Sequence, residues 1–202
     1  MSKIVLDYLQ QVGFWAEAWI RKHYENIDIR YIDYDAVAHE RTRTEFYTEQ
    51  ASGGTSMKAG LSYAEKMIRK DYSESVYNVF LFQFTDGDAG GMNITQEEID
   101  NYKAWIDLIQ KDQGVFIPLE EEEMSLKNPL TNFLIPRCSA IFVAEAVSYD
   151  YENNHYSRLL ERMIENSPRL QGRIRYVSQE QAEIEAARGA KVKELLLHWF
   201  KD

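Results

Sequence analysis

Apolar positions recur along this chain with two periods, and the periods sort it into helices and strands. Val5, Leu9, Val12, Ala16, Trp19 and Ile20 follow steps of three and four, so one buried stripe marks a helix from about Lys3 to Tyr24. Met57, Leu61, Ala64 and Ile68 mark a second such helix. Ile99, Tyr102, Ile106 and Ile109 mark a third, opened by the capping box Thr95–Glu98. Val192, Leu195, Leu196, Trp199 and Phe200 mark a C-terminal one, and a shorter helix is expected around 156–166.

Between them stand short runs with the composition of strands. "IDIRYIDYD" (27–35) is β-branched and aromatic, and "AVAHERTR" is a more polar edge candidate. "VYNVFLFQF" (76–84) and "CSAIFVAEAV" (138–147) are nearly all apolar, as strands buried on both faces of a parallel sheet should be. "GRIRYVSQ" (172–179) is a further strand. Strands alternating with helices predict an α/β fold with a mostly parallel sheet and helices on both faces. The stretch 113–136, with "EEEE" at 120–123, is expected to be an inserted loop with a short helix in one domain spanning 1–202.

Composition narrows the function. The chain has 202 residues, 45% apolar and 13% aromatic, enough for one domain with a substantial core. A formal charge of −10 argues against a general nucleic-acid binder and suits cations or a basic partner. The single cysteine, Cys138, excludes an internal disulfide and a multi-cysteine zinc site, and is expected to be a small core residue. No apolar run approaches the ~18 residues of a membrane span, so a cytoplasmic protein is the expectation. Trp15 and Trp19, one helical turn apart, are expected in the core. The four histidines are expected at the surface. No nucleophile–base pair or phosphate-cradling motif can be drawn, so nothing supports an enzyme.

One stretch carries candidate chemistry, "FQFTDGDAGGMNITQEEI" (82–99). As a calcium-binding loop it offers Asp86, Asp88, Gly91 and Glu97 at positions 1, 3, 6 and 12. However, position 5 is Gly90, and the segment upstream reads as a strand where a helix is required. As the carboxyl end of a buried strand, it delivers Asp86 to the edge where ligands of such sheets bind.

Together with "SGGTS" (52–56) before a helix, "FTDGD" (84–88) resembles a von Willebrand factor A domain. The wording of "YENIDIRYIDYDAVAHERTRTEFYTEQASGGTSM" and "YNVFLFQFTDGD" is similar to its bacterial YhbH/YeaH-like branch, associated with sporulation and stress. The resemblance implies a Rossmann-like sheet and an adhesion-type site for Mg²⁺ or Mn²⁺. It assigns Thr55 and Asp86 to the ion, with Asp88 beside them, and implies a protein partner whose carboxylate completes the coordination. Hard oxygen donors suit such ions. The family's D-x-S-x-S motif and first central strand are not found ahead of "MSKIVLDYL", so a truncated reading frame or a weakened site is expected. Thr55 as a helix cap and "DGD" as turn chemistry are the structural alternatives. A metal-dependent phosphate-ester hydrolase using Asp86 and Asp88 is the functional one.

Overall fold

A computed structural model describes residues 1–48, 56–87, 133–147, 160 and 172–201. The described elements are α1 (Lys3–His23), β1 (Tyr31–Tyr34), β2 (Ala38–Arg41), α2 (Arg43–Thr48), α3 (Met57–Asp71), β3 (Phe80–Thr85), α4 (Ile135–Arg137), β4 (Ala140–Val147), β5 (Ile174–Glu180) and α5 (Gln181–Phe200). They fall into two compact units, one of 1–29, 78–88 and 137–202, the other of 30–77 and 89–136.

The first unit is a three-stranded parallel sheet in the order β3-β4-β5 with helices. Phe82 lies opposite Phe142, which lies opposite Arg175, so the registers of the two ladders are continuous. Phe82, Phe84, Phe142, Ala144, Ala146 and Val177 share one face and meet Val5, Tyr8, Leu9, Val12 and Ala16 of α1, and Ile184, Val192, Leu195 and Trp199 of α5. The aromatic rings interlock, with Phe82 stacked on Phe142 at 4.6 Å and Trp199 edge-on to Phe82 at 5.7 Å. Among the described residues, both helices of this unit cover that one face.

Local chemistry fixes the helix ends. Ser2 caps α1 by accepting from the Val5 N–H at 3.4 Å and donates its own hydroxyl to Gln181 Oε1 at the start of α5. Arg21, Lys22 and His23 stand in the last turn, where the helix dipole favours cations. In α5, Ala187 leaves helical geometry (φ −150°, ψ 44°) and divides the helix. One strand expectation needs correcting. The run 76–84 begins its strand only at Phe80, because Val76 and Tyr77 donate their N–H groups to Ser73 in a turn and Val76 is exposed. Consequently β4, not β3, is the strand buried along nearly all its length; β3 pairs with β4 alone among the described residues.

The second unit joins the antiparallel hairpin β1–β2 to α2 and α3. The 27–35 run therefore forms a short strand at 31–34 in a two-stranded sheet of its own, paired with the polar strand read at 38–41. Thr42 and Glu45 form a reciprocal capping box at α2, with Glu45 accepting from the Thr42 N–H at 2.7 Å. Met57, Leu61, Ala64 and Ile68 are all buried, as their spacing predicts. Gly60 is required where α3 meets β1, since a Cβ there would lie 2.6 Å from the Tyr34 ring. The third helix from Thr95, the acidic run at 120–123 and most of 113–136 lie outside the described residues.

Candidate functional site

A parallel sheet gathers its useful groups where its strands end, because the next segments leave from there. In the first unit that edge is set by β3 and β4, whose last rows on one face are Gln83 opposite Val143 and Thr85 opposite Glu145. Side chains alternate, so these residues point away from the aromatic face. Gln83, Thr85 and Glu145 are 5%, 2% and 1% exposed, a polar group buried within otherwise apolar strands.

The strand then turns. The Thr85 hydroxyl accepts from the Gly87 N–H at 3.1 Å, which holds the turn against the strand end. Gly87 has φ +91°, and a Cβ added to it would sit 3.2 Å from Glu145 Oε1. Glycine is therefore favoured by its backbone angle, and the glutamate leaves a Cβ there little room. Between Thr85 and Gly87 stands Asp86. Its carboxylate is mostly buried, at 15% exposure, and lies 3.2 Å from the Met1 ammonium. The arrangement thus presents an aspartate that already holds one positive group at the carboxyl edge of a parallel sheet.

Of the three residues that the sequence assigns to a metal, Asp86 alone falls among the described residues; Thr55 and Asp88 lie outside them. Ser56 takes the cap of α3, accepting from the Ala59 N–H at 3.3 Å, so the capping role considered for Thr55 is filled by its neighbour. Among the described residues no three His, Cys, Asp or Glu side chains converge on a common point. The calcium-loop reading fails at its entry, since residues 80–85 leading to Asp86 are a strand and not a helix.

Sequence reasoning missed Glu145 and Gln83. Their signal was present, as single polar residues inside "AIFVAEAV" and "VFLFQF", but an apolar run draws attention to its majority. Cys138 is where it was expected, 2% exposed just ahead of β4, and burial pushes its thiol up to about 11. Trp15 corrects an expectation: it is 54% exposed although it stands two turns after the buried Tyr8, at the margin of the buried stripe of α1.

Residues 9–110 match the family model described as "Protein of unknown function (DUF444)". A UPF0229 protein of Bacillus cereus (strain B4264) is 33% identical over 98 residues, and one of Bacillus thuringiensis (strain Al Hakam) is 32% identical over the same length. Each alignment covers 48% of this chain and 24% of the relative, so the chain spans about a quarter of those proteins. No solved structure matches the chain. No helix among the described residues is long and apolar enough to cross a membrane.

Proposed function

The chain belongs to the DUF444 family, and from that premise we propose that it is a von Willebrand A-like protein-interaction domain that holds a divalent cation at Asp86. The observation that carries this reading is Asp86 itself, placed at the carboxyl end of a parallel strand by the turn that Thr85 and Gly87 hold. The donor chemistry fits a hard ion, for which a carboxylate oxygen is a suitable ligand. Thr55 is the further ligand that the resemblance assigns, with Asp88 beside it. A bound Mg²⁺ or Mn²⁺ would supply positive charge for a partner's carboxylate. The chain's own part is to aim Asp86, through the Thr85–Gly87 turn, and to set the buried Glu145 behind it. A role in a bacterial sporulation or stress pathway, within one domain spanning 1–202, belongs to the same proposal.

Calorimetric titration with Mg²⁺, Mn²⁺ and Ca²⁺ tests it. Binding should be lost in Asp86→Asn, weakened in Thr55→Ala and kept in Glu97→Ala. No binding by any of the three ions, or binding indifferent to Asp86→Asn, would remove the metal from the proposal. Calcium binding lost only in Glu97→Ala would restore the calcium loop.

A further inference from the structure

The exposed Trp15 borders a groove. Trp15 and Trp19 of α1 form one wall, and Gly189, Val192, Leu196, Leu197 and Phe200 of α5 form the other, enclosing about 710 Å³. The α5 positions advance by three, four, one and three, which is a single stripe along a helix. From Gly189 to Phe200 that stripe is about 16 Å long at 1.5 Å per residue, or three turns. Trp19 stacks on Phe200 at 3.9 Å and closes the floor, whereas Trp15 and Leu197 stay 54% and 60% exposed along the rim. Gly189 keeps the upper end open, since a Cβ there would meet nothing within 4 Å. A contiguous apolar surface of this kind marks a place where something docks.

The charges select the occupant. Lys193 and Lys201 line the groove with no carboxylate among the lining residues, in a chain whose net charge is −10. Neither ammonium makes an ion pair among the described residues. We propose that this groove is a docking site for an amphipathic helix of a partner protein, with apolar residues at i, i+3 or i+4, and i+7, flanked by acidic side chains. The three-turn groove is long enough for the two turns that such anchors span in the helix-in-groove mode of recognition, and the two lysines set which helices are admitted. A second copy of this chain is a poorer match, since its strongly negative charge adds repulsion between copies. The site does not depend on a metal at Asp86.

The probe is an 18-residue synthetic peptide with leucines at that spacing and glutamates flanking them, beside a second peptide with lysines in place of the glutamates. Both are titrated into the intact chain and followed by fluorescence anisotropy of a label on the peptide. The glutamate peptide should bind and the lysine peptide bind at least about tenfold more weakly, the scale of a rim charge match. Gly189→Phe should weaken the glutamate peptide by about tenfold or more while leaving the melting temperature unchanged or raised, because it fills the groove and replaces a helical glycine. The double variant Lys193→Glu, Lys201→Glu should exchange the preference of the two peptides. Equal binding of both peptides, no binding of either, or binding indifferent to Gly189→Phe would overturn the proposal. So would sedimentation showing a dimer that Gly189→Phe dissociates, which would give the groove to a second copy.

Discussion

Two glutamines on opposite faces of one sheet are buried to the same degree and used in opposite ways. Gln179 of β5, 4% exposed, faces the helices, where it accepts from the Tyr8 hydroxyl at 2.5 Å and donates to the Lys191 carbonyl at 3.4 Å. Gln83 of β3, 5% exposed, faces the other way, and neither its amide oxygen nor its nitrogen has a hydrogen-bond partner. Burial alone therefore does not tell what a polar side chain is for; its partners do. On the helix-covered face the polarity of Gln179 is absorbed into structure, while the Trp199 indole N–H there has no partner among the described residues. On the other face the Gln83 amide is left without a partner among the described residues, three residues ahead of Asp86 at the edge proposed to bind, where Thr85 lies opposite Glu145.

The helix-covered face should carry most of the stability of its unit. Trp199 has no exposure and its ring lies within 6.3 Å of those of Phe82, Phe84, Phe142 and Phe200. Trp199→Ala removes the largest side chain of this cluster and should cost about 3–5 kcal/mol in urea unfolding. Loss of under ~1 kcal/mol would mean that the aromatic face is not the main core, and the contrast between the faces would fail.

A titratable group in the same unit gives the next effect. Cys138 lies just ahead of β4, and burial raises its thiol from 9.0 to about 11, with the Arg137 charge opposing. A folded pKa above the unfolded one means that this contribution is complete below pH 9 and is lost as pH rises through 11. Stability should fall by about 2–3 kcal/mol across that window beyond what Cys138→Ala shows. Identical pH profiles for the two proteins would show that the thiol is not held neutral by burial. The Tyr8 phenol, raised first by burial and then by the charge of Glu194, adds its own loss of stability above pH 10, which the comparison with Cys138→Ala cancels.

How much of this could be read beforehand follows from what periodicity measures. The stripes of α1, α3 and α5 and the strands at 80–85, 140–147 and 174–180 were legible because burial on one helix face or a short apolar run leaves a repeating mark. Trp15 was misjudged because it stands two turns after Tyr8 on the same stripe, and periodicity marks a stripe without showing how wide its covered part is. Asp86 was legible from "TDGD" after an apolar run. Glu145 was not, because its pairing with Thr85 comes from the ladder between β3 and β4, strands some sixty residues apart in sequence. The independence of the β1–β2 hairpin was also beyond the pattern, which gives strands but not their neighbours.

The smallest effect is the most direct test of the two glutamines. Leucine approximates the volume of glutamine and removes the amide. Gln179→Leu strips the Tyr8 hydroxyl of its acceptor in a buried place and should cost about 1–3 kcal/mol. Gln83→Leu removes an amide that has no partner and should be neutral or stabilise by about 1 kcal/mol, since the desolvation penalty goes with it. The sign of the difference matters more than either value. If Gln83→Leu destabilised the chain as much as Gln179→Leu, both glutamines would be structural and the two faces of the sheet would be alike. If it stabilised the chain, the glutamine would be a retained cost beside Asp86, the trade of stability for function that binding sites make.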